Sequence, residues 1–494
     1  PPPPEPLLVI GPDQSAPLVE SFGDGSRMTL DGLDLMIRGM GVIEIEVLLD
    51  SGDHMVMWFG QWHGNRIRMG VDSNTEAVTF RYTGEQFAKI AGRSVLHSLA
   101  FTFPATPPEG VQFRAFRVYP KADLYPRTAG LARTALEGTL RRAVYVHAGS
   151  SVRFPAVATA TGSSLSVGLA AAPGSSSGRW KVLVRTGSDT SSLADQEVHQ
   201  GGWVDLDVDL PTGMVEVELS FHGKEGTVGL ASEPMVLGRI EDAPLVVLYL
   251  IDTTAARHMG LYGLDKDNTP TLSALASDGV VFDWAYSQAT HTALATASLM
   301  TFLDVAGHGV RSMWHKIPDE LPTLAGRLAD LGFLTASFIT NVSAGERTGL
   351  DRGFDDLFDH SAVADERGQL RTLDKALLES WLARHADQPR FLYIHTAEPH
   401  DPYEPPEEYR NRIAPDVTDA HADRFSMDGL RKNATSEQLE SFRALYQAEI
   451  AFADAQLGSF IALLRDQGLW DRTLLVVTSD HGEAFMEHGT MLHS

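Results

Sequence analysis

The stretch PLVVLYLID, from Pro244 to Asp252, decides the fold because it is an apolar run that ends in a carboxylate. It is far shorter than the ~20 apolar residues that a membrane helix needs. A run that is apolar at almost every position is typical of a strand covered on both faces, as in a parallel sheet flanked by helices. Ligands bind beyond the carboxyl ends of such strands, so Asp252 is the first candidate site residue.

The sequence after Asp252 alternates between strand and helix patterns, which predicts an α/β sheet with crossover helices. The apolar runs that predict further strands are 333–339, 391–395 and 473–478. The amphipathic stretches that predict helices are 271–276, 321–331, 373–386 and 436–467.

The sequence before residue 240 contains short alternating runs separated by Gly, Ser, Asp and Pro, which predicts antiparallel β structure. We expect a multidomain chain with two β-sandwiches followed by the α/β domain. The predicted segments are a Pro-rich stretch at 1–6, a sandwich at 7–122, a linker at 123–139, a second sandwich at 140–241 and the α/β domain at 242–494.

Composition excludes some classes of function. There are 40 Lys and Arg against 65 Asp and Glu, so the chain carries a formal charge of -25, and nucleic acid is not an expected partner. Cysteine is absent, so neither a disulfide nor a thiol nucleophile is available. We expect no transmembrane segment, and the Pro-rich start predicts an exported protein (periplasmic, cell-surface or extracellular) after removal of a signal.

Three segments place acidic residues and histidines at predicted strand ends. They are LIDTTAARHMGLYG with Asp252, FLYIHTAEPHDPYEPP with His395, His400 and Asp401, and VVTSDHGEAFMEHG with Asp480, His481, Glu483 and His488. Carboxylates and imidazoles from neighbouring strand ends can hold a divalent metal ion. A single Asp or His in a loop is usually solvated, but three segments in matched contexts indicate a site.

A fourth segment, AYSQATHTALATASLMT at 285–301, is a loop leading into a helix that we expect to begin near Ala297. A hydroxyl at a helix N-terminus lies where backbone N–H groups stabilise an anion, and a nearby metal can activate it. Taken alone, the local sequence favours an ordinary Ser/Thr cap.

From Pro244 onward the chain resembles the sulfatase branch of the alkaline phosphatase superfamily. The resemblance rests on the four segments above together with TPTLSALASDGVVF, LDRGFDDLFD and LYQAEIAFADAQLGSFIALLRDQGLWDRT. It implies an alkaline-phosphatase-like domain, here without its usual C-terminal part, and metal-assisted displacement at sulfur or phosphorus. The second sandwich resembles galactose-binding-like jelly-roll domains through RWKVLVRTG and GGWVDLDVDLPTGMVEVELSFHG.

The resemblance also implies a role for individual residues. The implied metal ligands are Asp252, Asp480 and His481; the implied catalytic residues are Thr292, His400 and His493; and Asn341 and His395 are implied to bind substrate. One divalent ion is implied, manganese or zinc before calcium or magnesium. Thr290 is the alternative nucleophile, because the register of the loop is uncertain by a residue or two.

The chain departs from formylglycine sulfatases in ways that change the expected chemistry. The pattern C/S-x-P-x-R is replaced by Thr292-Ala-Leu-Ala-Thr296, and threonine cannot become the formylglycine aldehyde. An Asp–His pair, Asp480–His481, stands where sulfatases commonly have Asp–Asn. This set resembles the family's phosphonate and phosphodiester hydrolases and its phosphoethanolamine transferases, which use a threonine.

We therefore predict a metal-dependent hydrolase or transferase of phosphate or sulfate esters. The molecules that we consider as bearing the ester group are glycans and lipids. One alternative is a true sulfatase that uses unmodified Thr292. An alternative of another class is a catalytically degenerate binding or structural protein. We also expect a partner fragment or a further segment to complete the sheet.

Overall fold

The computed structural model describes the backbone of strands between residues 8 and 120, without their side chains. It also describes residues 125–493, apart from 126, 174, 176, 313–314, 361–372, 418–434 and 488. The Pro-rich segment and His488 lie outside the described residues.

The described backbone before residue 121 forms antiparallel strands in two sheets. The strands are Leu8–Ile10, Leu18–Phe22, Gly25–Met36, Met40–Leu48, Asp53–Phe59, Arg66–Val71, Val78–Thr83, Val95–Phe103 and Gln112–Pro120 (β1–β9). Their order is β1-β9-β4-β7 in one sheet and β2-β3-β8-β5-β6 in the other. The sandwich at 7–122 stays a prediction, because the side chains that would pack between these sheets are not described.

The chain divides into two compact units. The first comprises Pro1–Ala132, Ala143–Thr161 and Leu165–Met235, and the second comprises Arg133–Arg142, Gly162–Ser164 and Val236–Ser494. The strands between residues 129 and 237 are Ala129–Leu136, Thr139–His147, Ser150–Arg153, Val157–Thr159, Ser164–Ala171, Gly178–Thr186, Asp189–Val198, Val204–Asp209, Gly213–Gly223, Val228–Ser232 and Met235–Leu237 (β10–β20). The expected linker at 123–139 thus contains strand β10, and the predicted domain boundaries stay predictions.

The later part of the first unit is held together by an apolar core between antiparallel strands. Strands β12, β18, β15 and β16 pair in that order, while β14, β19 and the 143–147 part of β11 belong to another sheet. Trp180 and Phe221 are fully buried in the core, and their rings lie 5.1 Å apart. The Trp180 indole is also satisfied, because Nε1 donates to the carbonyl of Ala170 at 3.1 Å.

The second unit is an α/β unit. Its further strands are Leu245–Ile251, Leu334–Ile339, Asp356–Asp359, Arg390–Thr396, Thr473–Thr478, Ala484–Phe485 and Met491–Leu492 (β21–β27). Its α-helices are Pro270–Asp278, Thr292–Thr301, Val305–His308, Leu324–Asp330, Lys375–Arg384, Glu407–Ile413 and Ser436–Asp466 (α1–α7). Short 3₁₀ turns lie at Ala256–His258, Gly260–Tyr262, Val342–Ala344, Glu346–Thr348 and Trp470–Arg472.

The strands of the second unit pair in the order β23-β22-β24-β21-β25, and all four pairings are parallel. Strand β21 is covered on both faces. Val247 and Tyr249 face a core that includes α5 and α7, whereas Leu248 and Leu250 face a core that includes α2 and α4. The structure therefore confirms the α/β sheet predicted from the apolar run at 244–252.

Parallel pairing brings the polar strand ends to one edge of the sheet. Asp252 directly follows β21, Asn341 lies just beyond β22, His395 is near the end of β24, and Asp480 lies just beyond β25. The hairpin of β26 and β27 then returns the chain to this edge and carries His493. None of the described helices has the length and apolar composition that spanning a bilayer would require.

Candidate active site

Two buried carboxylates form the centre of the candidate site. Asp252 is fully buried, and Asp480 is 3% exposed. Asp480 Oδ1 accepts hydrogen bonds from the backbone N–H of Thr253 at 3.1 Å and of His481 at 2.9 Å. Burial and the neighbouring negative charge of Asp252 raise the pKa of Asp480 to about 8. Two carboxylates this close repel each other unless a proton or a cation lies between them.

Histidines surround these carboxylates. His395 Nε2 lies 3.3 Å from Asp252 Oδ2, and His481 Nε2 lies 3.4 Å from Asp480 Oδ2. Burial alone would raise the pKa of Asp252, but the His395 imidazole, with smaller effects from other histidines, holds that pKa well below its ordinary value. Asp252 is therefore the carboxylate that stays ionised.

His395 is positioned differently from the role that the resemblance implied. Its side chain is fully buried, with Nδ1 2.8 Å from the hydroxyl of Tyr393. In this structure it contacts Asp252 and not a solvent-accessible surface. Substrate binding by His395 therefore stays a prediction, while its Nε2 joins Asp252 and Asp480 as a possible metal ligand.

Thr292 lies beside the carboxylates. Its Oγ1 is 3.4 Å from His481 Nε2 and accepts a hydrogen bond of 3.4 Å from Asn341 Nδ2. The same Asn341 amide also donates to Asp252 Oδ2, so it links the hydroxyl to the carboxylate. Asn341 is held in turn by Ser343, whose backbone N–H donates to Asn341 Oδ1 at 2.8 Å.

Helix α2 begins at Thr292, so the expected start near Ala297 is wrong by five residues. Ala293 and Ala295, which lie between Thr292 and Thr296, are strong helix formers and extend the helix back toward the loop. The error changes what lies at the helix N-terminus, because Thr292 itself occupies the first turn, where the helix dipole favours negative charge. Thr290 is exposed, and its hydroxyl lies 3.2 Å from Nδ1 of His291.

His400 and His493 lie next to each other and to the central cluster. The His493 ring centroid is 4.9 Å from that of His400 and 4.8 Å from that of His481. His493 Nδ1 is 3.0 Å from Glu483 Oε1, and His400 Nδ1 is 2.8 Å from the carbonyl of Asp401. Burial lowers the pKa of His400, but surrounding carboxylates, Asp252 first, outweigh it and raise that pKa above its ordinary value.

Thr296 stands at the position where the resemblance implied an arginine, and its neutral side chain offers no positive charge to an anion. It is fully buried, and its hydroxyl donates to the carbonyl of Thr292 one turn earlier. Two other features were not predicted from the sequence. Glu483, named only as part of a segment, supports His493 from inside the protein, and Tyr446 on α7 reaches the loop that follows Asp252.

The cluster fits a divalent cation. Asp252 Oδ1, Asp480 Oδ2 and His395 Nε2 are buried and have no hydrogen-bond partner within the part of the chain that the structure describes. The potential ligand atoms of Asp252, His395 and Asp480 all lie within 4.8 Å of one another. Unpartnered buried carboxylate oxygens are costly on their own, and a hard cation would satisfy them.

Comparisons with known proteins place these residues in a family. The family model described as Sulfatase matches residues 244–494. Over a stretch of 54 residues, 11% of the chain, it is 50% identical to Arylsulfatase K of Xenopus laevis and 41% identical to Arylsulfatase K of Homo sapiens. Each match spans about a tenth of the curated relative (10%).

Solved structures also match about half of the chain. The phosphonate monoester hydrolase of Agrobacterium radiobacter is 22% identical, with a TM-score of 0.41, covering 50% of this chain and 64% of that one. The lipooligosaccharide phosphoethanolamine transferase A of Neisseria meningitidis is also 22% identical, with a TM-score of 0.39, covering 51% and 44%.

Proposed function

Because the chain belongs to the sulfatase family, we propose that it is a metal-dependent hydrolase or transferase of phosphate or sulfate esters that uses Thr292 as its nucleophile. The observation that carries the proposal is the contact of Thr292 Oγ1 with both His481 and Asn341, beside two buried carboxylates with unpartnered oxygens. A formylglycine mechanism is not proposed, because no residue that could be converted stands at this position.

Asp252, Asp480 and His481 would hold the cation, with His395 as a further candidate ligand. Enzymes of this family bind a divalent metal, and the two carboxylates and the imidazole suit manganese or zinc. When bound, the ion would lower the pKa of a nearby hydroxyl and neutralise charge on the ester oxygens.

The chain's own residues supply the remaining steps. Asn341 orients Thr292 by donating to its oxygen, so that a lone pair can attack the ester phosphorus or sulfur. As the new bond forms, the hydroxyl proton passes to solvent and the bond to the leaving oxygen breaks. His400, whose raised pKa favours the protonated ring, gives that oxygen a proton. A water or an alcohol then attacks the ester on Thr292 and restores the hydroxyl.

The test is kinetic and uses matched variants of the full chain. We expect Thr292→Ala to lower kcat by at least ~1000-fold, because loss of a nucleophile leaves only binding and electrostatic stabilisation. Thr292→Ser should keep measurable turnover, since the hydroxyl remains. Thr290→Ala is the control and should match wild type, because that side chain is exposed.

The substrates should be a phosphate monoester, a phosphate diester and a sulfate ester of one chromogenic phenol, with manganese, zinc, calcium or magnesium supplied. A phosphoryl or sulfuryl adduct on the peptide containing Thr292 would identify the intermediate. Full activity of Thr292→Ala would exclude covalent catalysis by this residue. Absence of turnover with every metal and ester would favour the degenerate binding protein.

A further inference from the structure

The loop after Asp252 has an unusual backbone. Thr253 has a φ of 55°, in the left-handed region that β-branched residues rarely adopt, and it is fully buried. Its hydroxyl has no hydrogen-bond partner among the described residues, so the side chain does not compensate for the strain. Strain of this kind persists only where surrounding contacts enforce it.

Contacts from two other elements hold this loop. On the side of β25, Asp480 Oδ1 accepts the N–H of Thr253, and the Ser479 hydroxyl oxygen accepts the N–H of Thr254 at 2.8 Å. On the side of α7, the Tyr446 hydroxyl donates to the carbonyl of Thr253 and accepts the N–H of Ala255 at 2.9 Å. One phenol oxygen therefore fixes the main chain at two points, 253 and 255.

We propose that Tyr446 is a positioning residue for the metal site, whose hydroxyl holds Thr253 in the left-handed conformation that turns Asp252 toward Asp480. The inference rests on the proposed function, because it assigns Tyr446 to the same site. Tyr446 does not contact the reacting atoms. It acts through the backbone that joins Asp252 to Ala255.

The ring of Tyr446 has a separate, structural role. Its centroid lies 5.2 Å from that of His258, 5.5 Å from that of Tyr403 and 5.3 Å from that of Phe485. A phenylalanine at position 446 would keep these contacts and lose only the hydroxyl. Removal of the hydroxyl oxygen alone therefore separates the contribution of the hydroxyl from that of the ring.

Tyr403 provides a matched control. It belongs to the same aromatic cluster and is 1% exposed, but its hydroxyl has no hydrogen-bond partner in the described part of the chain. Tyr403→Phe removes the same atom from the same cluster without releasing a backbone group.

The first measurement is calorimetric titration of the metal-free full chain with Mn²⁺. We expect Tyr446→Phe to weaken binding by ~10–100-fold, the range usual for residues that orient metal ligands, and Tyr403→Phe to bind as wild type. The kcat of Tyr446→Phe should fall with the KM nearly unchanged. Wild-type affinity in Tyr446→Phe would overturn the proposal.

A second variant tests the conformational reason. Glycine adopts positive φ without the penalty of a β-branched residue, so Thr253→Gly added to Tyr446→Phe should recover most of the lost affinity. A packing defect would not be rescued in this way. If Tyr446→Phe fails to fold, the double variant should fold and bind Mn²⁺, and its failure would overturn the proposal.

Failure of the proposed function is distinguishable from failure of this inference. If wild type neither binds metal nor turns over esters, the proposed function fails. Amide hydrogen exchange of the peptide around Thr253 still measures whether the Tyr446 hydroxyl holds this backbone. Faster exchange in Tyr446→Phe than in Tyr403→Phe would support it, and equal exchange would overturn it.

Discussion

His258 shows how one buried side chain couples the stability of this protein to pH. It is 5% exposed, and its Nδ1 lies 3.2 Å from the amide nitrogen of Gln447, which can only donate, so the ring is neutral in the fold. Burial, with a smaller effect from Arg257, lowers the pKa of His258 to about 4. The unfolded chain takes up a proton near pH 6.5, whereas the folded chain resists it.

We therefore expect stability to be lost as the pH falls from about 6.5 toward 4, since the unfolded state binds the extra proton over this range. For His258 alone the loss is about 2 kcal/mol at pH 5 relative to neutral pH. Urea unfolding at both pH values should show a weaker pH dependence in His258→Gln than in wild type. An equal pH dependence of the unfolding free energy in the two proteins would show that a group other than His258 causes the loss of stability.

Sequence predicted the identity of the polar residues at the site better than their interactions. Asp252 and Asp480 could be assigned because each follows an apolar strand, and parallel strands end at one edge. The burial of His395 against Asp252 was not predictable, since it depends on which strands are neighbours. The contact of Tyr446 with the Thr253 backbone was not predictable either. Tyr446 lies nearly two hundred positions further along the chain, and in the sequence it looks like any other aromatic residue of a helix core.

At the scale of elements, strands were predicted more closely than helix starts. The run at 473–478 coincides with β25, whose bounds are set by where the apolar residues begin and end. Helix α2 was placed five residues late because it begins with a threonine, a residue type that sequence rules associate equally with caps and loops.

The start of helix α1 was predicted to within one residue, and it is also held by a tertiary contact that gives a prediction. Asp454 on α7 accepts the backbone N–H groups of Thr271 and Leu272, both at 2.9 Å, while the side chain of the α1 cap residue Thr269 does not cap the helix. We expect Asp454→Ala to lower the free energy of unfolding by about 2–3 kcal/mol, because two partly buried backbone donors lose their buried carboxylate acceptor.

Denaturant unfolding would measure the effect, and Thr435→Ala would serve as its control. Thr435 forms an exposed capping box with Gln438 at the start of α7, where loss of the cap costs about 1 kcal/mol. If both variants lost the same small free energy of unfolding, the buried cap by Asp454 would be no stronger than the exposed cap by Thr435.

At the scale of the whole molecule, we expect the buried carboxylates of the metal site to lower the stability of the metal-free protein and to raise its affinity for the cation. We expect Mn²⁺ or Zn²⁺ at a hundred times its dissociation constant to stabilise the fold by about 2.7 kcal/mol, since only the folded chain assembles the ligands. Thermal unfolding with metal and with a chelator measures this. Asp480→Asn should lose most of the metal effect, yet be at least as stable as wild type without metal, because the folded chain no longer has to bind a proton at position 480 beside Asp252. A less stable metal-free Asp480→Asn would mean that this carboxylate contributes mainly through its hydrogen bonds.

The parallel pairing of β21 with both β24 and β25 has a consequence for synthesis on the ribosome. Leu245 pairs with Arg390 on one side and with Thr473 on the other, so the strand that carries Asp252 gains its second neighbour only after more than two hundred further residues. At a translation rate of about 5–20 residues per second, that interval lasts ~10–50 s. During it the apolar strand leaves the exit tunnel without a complete sheet to join. We therefore expect nascent chains stalled before residue 473 to recruit hydrophobic-binding chaperones and to bind no metal, and chains that extend beyond the final hairpin to do the reverse.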